Sequence, residues 1–188
     1  MDFKNIKQSF KEKFYLVPGV LGSLILNILP SSSLRVRFIN MFFSNSKVHQ
    51  SVTIHRGIKV LMMRNLNVGK GSTINSQCFL DTRNKISIGD NVMIGHAAKI
   101  YTLGHDYECE NFSSKGGDVN ISNNVIIFSD VSIMPKIKVG YGAVVMSSSV
   151  VTKDISDLSV VGGNPAKFIK RRLKVHEKPF DYRVMFGL

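Results

Sequence analysis

Cysteine is scarce. Cys78 and Cys109 are the two in 188 residues; they form no CxxC pair and build neither a disulfide framework nor a metal-thiolate motif, so a reducing cytoplasm is the expected compartment. Long apolar runs are missing as well. Phe14 to Pro30 carries no charge, but Pro18 and Pro30 bracket it and leave fewer than the roughly 20 uninterrupted residues that a bilayer span needs. Pro30-Ser31-Ser32-Ser33 offers no clear small-x-small cleavage site for a signal peptide. Acidic residues are outnumbered, 13 Asp and Glu against 25 Lys and Arg, a net charge of +12. That surplus favours anionic partners such as a phosphorylated cofactor, nucleic acid or a membrane surface. No aromatic and basic interleaving or recognition motif supports nucleic acid, which is not expected as a partner.

What is present is a period. Ile121, Ile127, Ile133, Val139, Val145 and Val151 recur every six residues. Val68, Ile74 and Leu80 keep the same interval, a two-residue slip follows, and Ile88, Ile94 and Ile100 resume it. A helical seam repeats near 3.5 residues and a half-buried strand every 2. A strict six instead fits short strands separated by corners, each with an inward aliphatic, and stacked turns of that kind form a parallel β-helix. Val139 follows Ile121 by eighteen residues, which is three six-residue sides. Gly69, Gly89 and Gly140 follow inward aliphatics and suit a corner that needs positive φ or close backbone approach. Asn91, Asn123 and Asn124 are the non-glycine residues best able to take such corners.

The chain divides into three stretches. Residues 1–47 form a basic and apolar cap segment with Lys4, Lys7, Lys11 and Lys13 ahead of the uncharged run. A short helix across the open end of the coil stack is the favoured reading of that run, and an interfacial helix resting on the inner membrane leaflet through residues 1–30 is the sharper one. Leu34 to Phe38 alternates like a strand yet equally continues a helix through Phe43. Val48, Ile54 and Val60 start the coils, which run to about residue 170, and residues 171–188 are a basic tail, extended or helical. The fold expected is mainly β.

One insertion, Leu103–Asp118, breaks the period and carries His105, Asp106, Tyr107, Glu108, Cys109, Glu110, Phe112 and Lys115. A regular solenoid has no structural use for it, and loops on rigid scaffolds are where binding and catalytic groups concentrate. At a coil corner it would reach a neighbouring subunit.

These pieces, in this order, resemble the hexapeptide-repeat acyltransferases, in particular the sugar O-acetyltransferases such as the galactoside, maltose and polysaccharide acetyltransferases. The resemblance runs from about Asn65 to Arg172. It rests on Ile88-Gly89-Asp90-Asn91-Val92-Met93-Ile94, Gly104-His105-Asp106, Gly142-Ala143-Val144-Val145, Val150-Val151-Thr152-Lys153-Asp154-Ile155 and Val161-Gly162-Gly163-Asn164-Pro165-Ala166-Lys167. It implies left-handed coils, against the usual handedness of parallel crossovers, and a homotrimer with active sites between subunits. It also implies acetyl-CoA as donor and a sugar or surface polysaccharide, or its lipid-linked precursor, as acceptor, with no metal.

An alcohol is almost un-ionised at neutral pH, so its acylation needs a base, and imidazole titrates in the right range. His105 resembles the family's catalytic histidine. Asp106, Glu108 and Glu110 are the local carboxylates able to orient it. Asn75 matches an acceptor-placing asparagine, and Asp106 is a second candidate for sugar hydroxyls. The family's oxyanion donor, a backbone N–H, would fall at Ser129. Ser147, Thr152, Lys153, Lys167 and Arg171 match or adjoin cofactor positions, with Arg172 beside them. Two departures stand out: Val125-Ile126-Ile127-Phe128-Ser129 lacks the usual tryptophan and glycine, and Met146-Ser147-Ser148-Ser149 replaces a turn of small residues. N-acetylation of an amino sugar and a non-catalytic binding solenoid are the alternatives. Cys109 as an acyl carrier and a metal site through His96 and His105 are less favoured.

Overall fold

The computed structural model describes residues 17–176. Six-residue spacing becomes three-sided coils. The first coil holds β1 (Lys47–Val48), β2 (Thr53–Ile54) and β3 (Lys59–Val60); the second β4 (Leu66–Val68), β5 (Thr73–Ile74) and β6 (Phe79–Leu80); the third β7 (Ile86–Ile88), β8 (Met93–Ile94) and β9 (Lys99–Ile100). After a hairpin of β10 (Leu103–His105) and β11 (Ser114–Gly116), the fourth coil holds β12 (Val119–Ile121), β13 (Ile126–Ile127) and β14 (Ser132–Ile133). The fifth holds β15 (Lys138–Val139), β16 (Val144–Val145) and β17 (Val150–Val151). A partial sixth ends in β18 (Ser159–Gly162) and β19 (Lys167–Arg171), which folds back antiparallel on β18.

Successive coils pair in parallel and make three faces: β1-β4-β7-β12-β15, β2-β5-β8-β13-β16-β18 with β19 at its edge, and β3-β6-β9-β14-β17. The inward aliphatics lie over one another, as in Val48, Val68, Ile88, Ile121 and Val139 on the first face, and all are buried. Each contributes about 1.5–3 kcal/mol on burial. The parallel β-helix expected from the period is therefore the observed fold. Early coils step by twenty residues, Val48 to Val68 to Ile88, and later ones by eighteen, Ile121 to Val139. The two-residue slip sits at the corner between the third and first faces, where the hairpin later emerges.

The two corners that flank the second face keep left-handed residues in register. Between the second and third faces these are Gly57, Gln77, Ala97, Asp130 and Ser148; between the first and second, Gly71, Asn91, Asn124, Gly142 and Leu158. Asn91 and Asn124 behave as expected. Asn123 does not: its φ is ordinary, and its side-chain oxygen accepts from the Asp90 N–H at 2.9 Å. For Gly89 the close approach is the reason and not φ, since a Cβ there would stand 2.2 Å from that same Asn123 oxygen.

Helices close the open end of the first coil. Helix α1 covers 17–28 within the described range and stops before Pro30, whose ring cannot continue it. Helix α2 (Ser32–Phe42) is capped by Ser31, so the ambiguous Leu34–Phe38 stretch is helical. Unpaired strand edges are costly, and the helices answer each one. The Asn40 amide brackets Val48 of β1, donating to its carbonyl at 2.7 Å and accepting from its N–H at 2.8 Å. Ser32 accepts from the Ile54 N–H, and the buried Arg35 donates to the carbonyls of Ile54, Leu26 and Leu29. Ser23 accepts from the Val60 N–H, and Asn27 donates to the Ile58 carbonyl. The tail runs back along the corner between the first and second faces, where Arg172 donates to the carbonyls of Asn124 and Gly142.

Candidate active site

Among the described residues the hairpin Leu103–Gly116 is the one large excursion from the coils, and its root is heavily hydrogen-bonded. Leu103 pairs with Gly116, Gly104 with Lys115 and His105 with Ser114. Gly116 passes so close to the Thr102 carbonyl that a Cβ would meet it at 2.2 Å. Beneath lies Asp81, fully buried and gripped by both Nε and Nη2 of Arg83 at 2.8 Å. Asp81 also accepts from the N–H groups of Thr102 and Leu103 at 3.2 Å, while Arg83 donates to the Leu103 carbonyl at 2.9 Å. Asn84 completes the anchorage, donating through its side chain to the Thr102 carbonyl. Burial pushes the Asp81 carboxyl up, but the Arg83 hydrogen bonds, the Thr102 amide and the Arg83 charge outweigh it and hold the group below the usual carboxylate range.

At the hairpin's end the His105 ring is exposed and stacks on Phe112, centroids 4.6 Å apart and planes within 5°. Its Nδ1 lies 2.9 Å from the Phe112 carbonyl. A carbonyl only accepts, so Nδ1 carries the proton and Nε2 of the neutral ring keeps its lone pair outward, the tautomer that a base requires. Phe112 itself takes a left-handed φ of 46°. The group at Nδ1 is a backbone carbonyl and none of the three carboxylates considered. Asp106 is engaged elsewhere, with Lys115 Nζ at 2.8 Å and the Glu108 N–H at 3.3 Å. The Lys115 hydrogen bond holds the Asp106 carboxyl below its ordinary range. Of the cysteines, Cys78 is buried, its thiol pushed up to about 12 by desolvation.

The other expected site residues fall at different corners. Asn75, Ser129 and Ser147 share the corner between the second and third faces, and Lys167 joins them by pairing with Gly162 beside Met146. Asn75 is buried, its amide donating to the Ile94 carbonyl at 2.8 Å. The Ser129 N–H makes no hydrogen bond among the described residues. Gly95 allows that corner: a Cβ there would meet Ser129 N at 2.6 Å. Phe128 and Met146, where the sequence departs from the family pattern, stand exposed along this edge. Thr152 and Lys153 are exposed at the corner that bears the hairpin, and Arg171 is exposed on β19. Arg172 is committed to corner carbonyls, and His96 to Ser76 Oγ at 2.8 Å. Within one protomer, His105 and the Asn75–Ser129–Ser147 edge thus occupy separate corners of the prism.

Asp81, Arg83 and Phe112 were missed as contributors. Only the Asp81-Thr82-Arg83 run, with its acid and base two residues apart at the same corner one coil before the hairpin, hinted at the anchor.

No protein-family model matches the chain. A chloramphenicol acetyltransferase of Klebsiella aerogenes is 51% identical over 63 residues, 34% of this chain and 30% of that protein. The chain spans between 27% and 62% of the length of the curated relatives it matches. Among solved structures, a maltose O-acetyltransferase from Clostridium difficile superposes with a TM-score of 0.73 at 29% identity, covering 85% of this chain and 87% of that one. A hexapeptide-repeat acetyltransferase of Vibrio cholerae complexed with acetyl coenzyme A gives a TM-score of 0.77 at 21% identity, covering 86% and 89%. The chain has the fold of the hexapeptide-repeat acetyltransferases, and the likeness read from its motifs holds.

The Asp81 anchor generates a prediction. A carboxyl depressed on folding stabilises above its unfolded pKa, and that contribution is lost as pH falls through the folded value. An Asp81→Asn variant should therefore be less stable than the parent at neutral pH, and the gap should close below about pH 4. Denaturant unfolding across pH checks this; a gap independent of pH contradicts it.

Proposed function

We propose that this chain, built as a hexapeptide-repeat acetyltransferase, moves an acetyl group from acetyl-CoA to a hydroxyl of a sugar or surface polysaccharide. The observation that carries the reading is the exposed His105 ring, stacked on Phe112 with Nδ1 2.9 Å from the Phe112 carbonyl, a contact that leaves Nε2 as the nitrogen able to accept a proton. His105 Nε2 takes the acceptor hydroxyl proton as the oxygen attacks the thioester carbonyl. The unpaired Ser129 N–H donates to the oxyanion that forms. Collapse breaks the carbon–sulfur bond, and the proton held on His105 passes to the departing thiolate.

Because His105 and the Ser129 edge lie at separate corners, the reading requires a second copy, with the hairpin of one protomer laid against the Asn75–Ser129–Ser147 edge of the next. A homotrimer satisfies this with three equal sites. Asn75 and Asp106 serve the acceptor, and Ser147, Thr152, Lys153, Lys167 and Arg171 the cofactor, the cations meeting its phosphates.

A membrane-proximal acceptor, such as a lipid-linked saccharide, fits the outer side of α1. Val17, Val20, Leu21, Leu24 and Ile28 are all more than half exposed there, and a cavity of about 340 Å³ is lined by residues of this helix and of the third face. No helix among the described residues is long and apolar enough to cross a membrane, so the contact would be interfacial.

His105→Ala should abolish nearly all acceptor-dependent thiol release from acetyl-CoA, a loss of about 10²–10⁴-fold, with the circular dichroism spectrum unchanged. Retention of most of the rate would remove His105 from the mechanism. Co-sedimentation with anionic liposomes at low salt tests the membrane contact, and a protein that stays in the supernatant counts against it.

A further inference from the structure

A cavity of about 620 Å³ opens on the third face, between the Asn75 corner and the root of the hairpin. Gly57, Gln77 and Ala97 border it on the corner side, and Tyr101, two residues before β10, borders it on the hairpin side. Its floor is a ladder: Lys59 pairs with Phe79, and Phe79 with Lys99. Coils repeat about 4.8 Å apart, so the two lysines stand about 10 Å apart at their backbones with an aromatic ring between them. Phe79 and Tyr101 lie against each other, centroids 5.5 Å apart, and make one aromatic wall.

The lining carries two ammonium groups and no carboxylate. Among the described residues the ion pairs are Arg83–Asp81 and Lys115–Asp106, so neither Lys59 nor Lys99 is neutralised. Two uncompensated cations raise the folded chain's self-repulsion and do nothing for the coils, whose stability lies in the inward aliphatics. Outward residues at the same place on later coils are Ser132 and Val150, so the charge is confined to the half of the face that borders Asn75. The volume suits a small ligand. An aromatic wall offers a flat apolar surface to a sugar ring, and ammonium groups on either side of it select a negative substituent.

We infer that this cavity is the acceptor subsite and that the acceptor is an acidic sugar, one that carries a carboxylate or a phosphate. The inference rests on the acetyl-transfer reading for its role but not for its measurement, because binding is read without turnover. Lys59 and Lys99 hold the acidic group, Phe79 and Tyr101 carry the ring, and Asn75 at the adjoining corner lies on the path to the reacting hydroxyl.

The test is isothermal titration of the full chain, with coenzyme A at saturation, against galactose, galacturonate and galactose 6-phosphate. At least one of the two acids should bind about tenfold or more tightly than galactose, the worth of one charge-assisted contact, and which acid does so identifies the substituent. In a Lys59→Gln/Lys99→Gln variant that preference should fall to near one. In Phe79→Ala the affinity for the preferred acid should drop while its margin over galactose stays, which separates loss of the wall from loss of charge. Equal binding of all three sugars, binding of none, or a preference that survives in the double variant would each overturn the assignment. Failure of acetyl transfer itself is read separately, from the His105 variant.

Discussion

Inward aliphatics must stack, coil upon coil, and the rest of the molecule follows from that constraint. Once Val68 lies over Val48 and Ile88 over Val68, every later position in the six-residue phrase is also forced into a column. Corner residues stack on corner residues, which is why the left-handed positions Gly57, Gln77, Ala97, Asp130 and Ser148 line up along one edge. Outward residues stack as well, and so a chain of local repeats acquires long, straight edges on which chemistry can be placed. The same stacking leaves a raw edge below the first coil. Asn40, Ser32, Arg35, Ser23 and Asn27 meet it with side-chain hydrogen bonds that imitate the missing coil.

Against this regularity the hairpin is an exception that the scaffold holds firmly. A buried carboxylate is costly unless paired, and Asp81 is fully paired, by Arg83 and by two N–H groups at the hairpin root. The rigidity of the coils is thereby passed to His105, whose ring is fixed in turn by Phe112 and its carbonyl. An imidazole held this way has one free nitrogen and one outward direction. The edge with Asn75 and the Ser129 N–H, which makes no hydrogen bond among the described residues, belongs to another corner of the same chain. In the proposed reading these two corners act as halves of one site, which repetition of the molecule about an axis would join.

Much of this was legible in the residues. The period is strong because each inward position accepts only an aliphatic side chain, so Val68 through Val151 announce the coils without any alignment. The hairpin was legible as a break in that period, and His105 as its most chemically capable residue. Hydrogen bonds made by the backbone left no such trace. The Phe112 carbonyl at His105 depends on hairpin register and on a left-handed φ at Phe112, neither of which the identity of a side chain encodes. Asp81 and Arg83 carried little signal because their partners Thr102 and Leu103 lie twenty to twenty-two residues on, at the root of a loop of unknown path. Asn123 was assigned to backbone conformation when its use is a side-chain cap, whereas for Gly89 the close-approach alternative is the one that holds. The Leu34–Phe38 alternation was settled by Ser31 at the N-cap and by the edge groups that α2 satisfies.

The central claim is that hairpin and edge meet across a boundary between copies, and subunit mixing tests it most directly. Co-expressed His105→Ala and Asn75→Ala chains, each of low activity alone, should together regain up to about a quarter of the parental rate, since random assembly gives that share of sites an intact half from each chain. A mixture no more active than the average of the two variants would contradict the account.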